Sequence, residues 1–212
     1  AGLADVKKAL TEAEGDFDKA KELLRERGLA IAAKRSDRET SNGCVLVKKV
    51  NDFAAIIALK CETDFVANGA DFIKLTSDIL DAAIAAKAHT LDEVKTLKVG
   101  DADAQAAVTQ RSGITGEKME LDGYCVLEGD NIEVYDHMGK HTLCTMVQLN
   151  ENNEEAGHKI AMQVAAMRPV ALDESSVSEE TKKTELEVAV AKTKEELVEK
   201  AVNAALKKAG IN

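Results

Sequence analysis

The apolar residues of this chain recur with two different periods, and this change of period limits the folds that it can adopt. Up to residue 28 the apolar positions repeat about every 3.6 residues, as they do in amphipathic helices. Between residues 43 and 61 the pattern becomes typical of strands, and helical spacing returns after residue 65. Helices and antiparallel hairpins in separate stretches of one chain predict an α+β fold.

Composition limits how the core is built and which partners suit the chain. Hydrophobic residues make up 45% of the 212 residues, but aromatic residues make up only 3% and tryptophan is absent. The core is therefore expected to consist of Ala, Val, Leu and Ile. The net charge of −10 disfavours general nucleic-acid binding. No apolar run approaches the roughly 20 residues that a membrane span requires, so we expect no membrane partner.

Residues 1–28 predict an incomplete helical module of two short helices. Asp16 is a candidate N-cap of the second helix and Gly28 a candidate C-cap. That helix carries one apolar stripe, formed by Phe17, Ala20, Leu23 and Leu24. Because so short a segment cannot bury enough surface to be stable alone, we expect it to need further support.

Residues 29–42 predict a basic linker. Its cationic side chains include Lys34, Arg35 and Arg38. A solvated surface is the ordinary interpretation of such a stretch, and contact with an anionic partner surface stays open.

Antiparallel strands followed by a helix occur twice, which predicts two core subdomains, at residues 43–113 and 114–172. The predicted elements of the first are strands at 43–50 and 53–61 and helices at 65–87, 91–97 and 104–110. Those of the second are strands at 121–127, 132–137 and 142–149 and a helix at 153–167.

Residues 173–212 predict one long helix. Ser176 and Glu179 form a candidate capping box at its start. Its apolar seam consists of Leu186, Val190, Leu197, Ala201 and Leu206. A helix of about 30 residues extends about 45 Å, so we expect it to protrude as one arm of a helical hairpin or coiled coil.

No local motif indicates catalysis, a metal site or a cofactor. The four histidines, His89, His137, His141 and His158, lack a neighbouring nucleophile in a catalytic context. The four cysteines lie far apart without a CxxC pair, and no phosphate-binding glycine motif is present. We expect a protein that is not an enzyme, although an enzyme with a dispersed active site is an open alternative.

The stretch Cys61-Glu62-Thr63-Asp64-Phe65-Val66-Ala67 lies where a strand passes into a helix. One interpretation is structural: Thr63 or Asp64 caps the helix and Phe65 packs on the sheet. The other places the Phe65 ring outward on a rigid corner, where an aromatic side chain can anchor a protein interface. The two are compatible if Asp64 caps and Phe65 protrudes.

Three motifs together resemble the elongation factor Ts family: Lys7-Lys8-Ala9-Leu10, Thr63-Asp64-Phe65-Val66, and Ile160 to Ala166 before Pro169. The resemblance covers essentially the whole chain. It implies a module similar to ubiquitin-associated domains, two core subdomains and a helical hairpin. Leu3-Ala4 stand where many members have Met-Met, and Gln163 stands where His is common. Since the family has further segments before Ala1 and after the long helix, we expect a chain truncated at both ends.

The resemblance implies a guanine-nucleotide exchange factor that binds elongation factor Tu with GDP, displaces Mg²⁺ and promotes GDP release in the bacterial cytoplasm. Asp64, Phe65, Val66 and Ala67 match the segment that displaces Mg²⁺. Further partner contacts are expected at Lys7, Thr63, Met162 and Gln163. No cofactor and no direct nucleic-acid contact are implied. An adaptor with a coiled-coil arm is the alternative function, and a homodimer is open.

Overall fold

The computed structural model of the protein describes residues 3–209, apart from the side chains of residues 29 and 31–33. Residues 1–2 and 210–212, at the ends of the first and last predicted segments, lie outside the described residues. The chain divides into two compact units between Met167 and Arg168. Its mixture of helices and antiparallel sheets confirms the predicted α+β class.

The first unit begins with helices α1 (Leu3–Glu12) and α2 (Phe17–Ala33), strands β1 (Asn42–Val50) and β2 (Phe53–Cys61), and helices α3 (Asp64–Ala67), α4 (Ala70–Ala86) and α5 (Leu91–Thr96). It continues with strands β3 (Lys98–Val99) and β4 (Ala102–Asp103), helix α6 (Ala104–Thr115), strands β5 (Met119–Glu128), β6 (Ile132–Asp136) and β7 (Cys144–Gln148), and helix α7 (Glu154–Met167). The second unit contains helix α8 (Glu179–Lys208).

The central sheet has the antiparallel order β1-β2-β5. The predicted hairpin of β1 and β2 is confirmed, and its turn places Asn51 at a positive φ of 55°, which asparagine tolerates better than most residues. The strand predicted to open the second subdomain is β5, and it pairs with β2 along its whole length. The predicted boundary between residues 113 and 114 therefore falls between strands of one sheet. The sequence does not predict this pairing, because strands so far apart along the chain have no local signal of pairing.

Strands β6 and β7 form a separate two-stranded antiparallel sheet, against which α7 packs. Helix α7 buries the small residues Gly157, Ala161 and Ala165. The Thr145 hydroxyl on β7 donates to the Ala161 carbonyl over 2.9 Å. The predicted strands at 132–137 and 142–149 are shorter in the structure, because a 3₁₀ turn at His137–Gly139 interrupts the pairing.

The main core lies between the central sheet and α4. Phe72, Ile79, Leu80 and Ile84 of α4 are buried against β1 and β2, as their helical spacing predicts. Alanine, valine, leucine and isoleucine supply most of the remaining buried side chains, in agreement with the composition.

Helices α1 and α2 have their own small core of Ala9, Ala13 and Ala20. The Asp16 carboxylate accepts from the backbone N–H groups of residues 18 and 19, which confirms the predicted N-cap. Of the predicted apolar stripe, Ala20 is buried in this core, whereas Phe17 is 71% exposed.

The sequence predicts that Gly28 ends the second helix. This prediction is wrong, because α2 continues to Ala33. Helix α6 packs against α2, and a Cβ on Gly113 would lie 3.9 Å from the Gly28 Cα.

The helix predicted from Phe65 to Lys87 is two helices, because the chain is extended at Gly69, with φ −69° and ψ 132°. Asn68 ends α3 by donating its backbone N–H to the Asp64 carbonyl over 2.9 Å. The corner that carries Phe65 is consequently a separate four-residue turn and not the first turn of the long core helix.

Helix α8 begins two residues later than the capping-box prediction placed it. The Ser178 hydroxyl accepts from the Thr181 N–H over 3.1 Å, whereas Ser176 lies in a 3₁₀ turn capped by Asp173. No residue of α8 is buried, and the predicted seam is exposed. Its pairing in a helical hairpin stays a prediction. None of the helices in the described part of the chain is long and apolar enough to cross a membrane.

Candidate partner-binding site

The end of β2 turns sharply into α3 and presents the Phe65 ring to solvent. Thr63 adopts an extended backbone, with φ −121° and ψ 153°, and its hydroxyl accepts from the Val66 N–H over 3.3 Å. Thr63 is therefore the N-cap, and Asp64 is the first helical residue. The Phe65 side chain is 86% exposed, which confirms its predicted outward orientation. A large ring on a fixed corner is suited to insertion into a partner.

The remaining residues of α3 attach the corner to the core. Ala67 is buried, and Val66 packs partly buried against the same core. Successive residues of a helix point about 100° apart, so this inward pair leaves Phe65 outside. The structure therefore brings Asp64, Phe65, Val66 and Ala67 together as predicted, and it separates the exposed ring from its two anchors.

Two glutamates join the corner to the segment after α6. The Glu62 carboxylate accepts from the Lys118 N–H over 2.6 Å and from the Arg38 guanidinium over 3.1 Å. The Glu117 carboxylate accepts from the N–H groups of Glu62 and Thr63, each over 3.1 Å, and from the Thr63 hydroxyl over 2.6 Å. No local sequence pattern indicates these two carboxylate contacts, because the bonded residues are 54 to 56 positions apart.

These bonds make Glu62 a source of pH-dependent stability. The Lys118 N–H, followed by the Arg38 guanidinium, lowers the Glu62 pKa below its ordinary value of 4.5. A carboxyl whose pKa is lower in the folded state contributes stability above its unfolded pKa, and that contribution is lost as the pH falls through the folded pKa.

We expect Glu62→Gln to flatten the loss of stability below pH 4.5. The unfolding midpoint measured between about pH 6 and pH 3 tests this, because glutamine at position 62 does not titrate in that range. Glu120→Gln, which removes an exposed carboxylate from β5, is the matched control. Equal pH profiles for the parent and Glu62→Gln would contradict the assignment.

A shallow groove beside Phe65 extends the exposed surface. It is lined by Asp64, Phe65, Val66, Asn68, Gly69, Arg111 and Thr115. The Arg111 guanidinium lies in it, with Nη1 3.0 Å from the Asp71 carboxylate. The groove thus combines an aromatic ring with a fixed cation, a pairing common in protein interfaces.

The other predicted contact residues lie on different elements. Lys7 is exposed on α1, and Met162 and Gln163 are exposed on α7. The packing neighbours of α3 are β1, β2 and α4, whereas those of α7 are β6 and β7. These residues consequently form no single pocket with Phe65, and their joint use requires a partner with a broad surface.

The basic linker makes contacts within the protein. Arg35 donates to the Ser112 carbonyl over 3.3 Å, and Arg38 binds Glu62 at the corner. Lys118 donates to the Ser36 carbonyl over 2.9 Å. Part of the positive charge from Lys34 to Arg38 therefore supports the corner, and Lys34 itself is exposed.

The histidines and cysteines show ordinary structural contacts. His141 lies 2.5 Å from the Asp136 carboxylate and His137 lies 3.0 Å from the Tyr135 hydroxyl. All four cysteines are free, and burial raises the pKa of Cys44 and Cys61 to about 11, so neither is an activated thiol. Across residues 3–209, no three His, Cys, Asp or Glu side chains are arranged to hold a metal ion.

Comparison with known proteins gives one family. The family profile described as Elongation factor TS matches residues 62–210. Elongation factor Ts of Parabacteroides distasonis is 64% identical over 212 residues, covering all of this chain and 64% of that protein. The Bacteroides fragilis protein of the same name is 65% identical over 213 residues, with the same coverage. That of Porphyromonas gingivalis is 46% identical over 191 residues, covering 89% of this chain and 69% of the relative. The chain thus spans 64% of the length of the first two relatives.

Proposed function

We propose, since this chain belongs to the elongation factor Ts family, that it is a guanine-nucleotide exchange factor for elongation factor Tu. It binds the partner in its GDP-bound form, displaces Mg²⁺ and promotes release of GDP during translation elongation. The proposal places the protein in the bacterial cytoplasm, where translation takes place. The observation that carries it is the exposed Phe65 ring on a corner fixed by hydrogen bonds.

Exchange requires that the factor bind the nucleotide-free partner better than the GDP-bound partner. By linkage, GDP then weakens the binding of the factor by the same ratio. A ring that enters between two elements of the partner, near its metal site, meets this requirement. The ring contacts the open arrangement of the partner and is excluded from the closed arrangement. Asp64, Val66 and Ala67 hold the ring in place, and no catalytic side chain is needed.

The Phe65 ring cannot provide the whole effect. Burying one phenylalanine contributes about 1.5–3 kcal/mol, which is one to two powers of ten in an equilibrium constant. A tightly held nucleotide needs more than this. Lys7 on α1 and Met162 and Gln163 on α7, exposed and well separated in sequence, would supply the additional contacts of a broad interface.

The direct test is a titration against elongation factor Tu loaded with a fluorescent GDP. We expect the rate of GDP release to rise and saturate with the concentration of this protein, and added GDP to dissociate the complex. Binding that does not respond to GDP would favour the adaptor function. Absence of both binding and faster release would reject the proposal.

A further inference from the structure

Glu117 lies under the corner, and its bonds control how Thr63 caps α3. One carboxylate oxygen accepts from the Thr63 hydroxyl over 2.6 Å, and the other accepts from the Glu62 and Thr63 N–H groups. The same hydroxyl accepts from the Val66 N–H over 3.3 Å. The bonds form a chain from Glu117 through Thr63 to the helical turn that carries Phe65.

The chemistry of the groups gives this chain a direction. A hydroxyl has one proton to donate, and an ionised carboxylate can only accept. The Thr63 proton is therefore directed to Glu117, which leaves a hydroxyl lone pair facing the Val66 N–H. Without Glu117 the hydroxyl is free to rotate, and the cap loses its fixed orientation.

The turn depends on this cap because it is too short to hold itself. Helix α3 has four residues, and isolated helices far longer than this are unstable in water. Its geometry must come from the cap and from the burial of Val66 and Ala67. If the cap is loosened, Val66 and Ala67 stay buried, but the direction of the exposed Phe65 side chain can vary.

Glu117 is itself held firmly. It follows Gly116, which ends α6 with a positive φ of 82°. The buried Ser112 hydroxyl donates to the Glu117 carbonyl over 2.5 Å, and the next N–H, that of Lys118, binds the Glu62 carboxylate. Because the backbone on both sides of Glu117 is fixed in this way, its carboxylate can position the corner without touching a partner.

We propose that Glu117 is a positioning residue for Phe65 in nucleotide exchange, an inference that rests on the proposed function. Its loss leaves the broad interface intact, so the concentration of factor that gives half-maximal exchange changes little. The maximal rate falls, because fewer bound complexes hold the ring in the productive direction. Because the loss of an N-cap shifts a local equilibrium only moderately, we expect the maximal exchange rate to decrease about three- to tenfold.

Glu93 offers a matched control for the structural effect of removing such a carboxylate. It accepts from the N–H groups of His89 over 2.7 Å and Thr90 over 3.2 Å, and it forms the capping box of α5. Glu93→Ala therefore deletes bonds of the same kind at a different helix start. We expect Glu117→Ala and Glu93→Ala to lower the unfolding midpoint similarly, and only Glu117→Ala to lower the maximal exchange rate.

Two further measurements keep the test independent of global stability. Hydrogen exchange of the Val66 amide is expected to speed up in Glu117→Ala and to stay unchanged in Glu93→Ala. Glu117→Gln keeps the side-chain volume and one acceptor oxygen, so it is expected to fold and to give an intermediate maximal rate.

The path through Phe65 is tested by the double variant. In a Phe65→Ala background, Glu117→Ala is expected to cause no further loss of rate, because the ring that it positions is gone. If Phe65→Ala lowers exchange while Glu117→Ala behaves like Glu93→Ala, the role of Glu117 is overturned and the proposed function stands. If Phe65→Ala itself leaves exchange unchanged, both the Phe65 mechanism and this inference are rejected.

Discussion

Phe65→Ala is expected to lower the maximal rate of stimulated GDP release by about ten- to a hundredfold while leaving the protein as stable as the parent. The rate effect follows from losing the burial of one phenylalanine ring in the partner, about 1.5–3 kcal/mol. The unchanged stability follows from exposure, because a side chain that is 86% exposed leaves no cavity when it is removed. Stopped-flow release of fluorescent GDP and a thermal unfolding curve measure the two quantities.

The matched control for this variant is Phe17→Ala. It removes a ring of similar exposure, 71%, from the start of α2. We expect it to change neither the unfolding midpoint nor the maximal exchange rate. Equal losses of rate in both variants would mean that removing any exposed ring weakens binding to the partner, with no special role for Phe65. An unchanged rate in Phe65→Ala would exclude the ring from the mechanism.

The fold could be predicted where the information is local. The strand-like stretches on either side of Asn51-Asp52 predicted the β1–β2 hairpin. The change from strand to helix at Thr63 predicted the corner, with an outward Phe65 as one of two interpretations. In each case neighbouring residues determine the outcome: a turn residue that tolerates positive φ, or a hydroxyl that caps the next N–H.

Prediction failed where residues distant in sequence determine the structure. Gly28 has the character of a helix end, but it lies inside α2, which packs against α6. Strand β5 pairs with β2 across more than 55 residues, and Glu117 binds the corner over a similar separation. The exposed ring could therefore be found from the sequence, whereas the groups that hold it in place could not.

Phe72→Ala is expected to destabilise the first unit by about 3–5 kcal/mol, in contrast to Phe65→Ala seven positions earlier. The Phe72 ring is fully buried between α4 and the sheet, and Phe53 is the other fully buried phenylalanine among the described residues. The core cluster to which Phe72 belongs consists mostly of Ala, Val, Leu and Ile side chains. These side chains cannot expand to fill the volume of a ring, so the free energy of unfolding should fall by the full cost of the cavity.

The measurement should report the first unit alone, because α8 lies in the other unit and contributes helical signal of its own. Both tyrosines, Tyr124 on β5 and Tyr135 on β6, lie in the first unit, and the chain contains no tryptophan. Urea unfolding followed by tyrosine fluorescence should show a lower midpoint with an unchanged slope. A loss below about 1 kcal/mol would mean that α4 collapses onto β2 and closes the cavity, and that the packing of this alanine-rich core is less specific than the burial of Phe72 indicates.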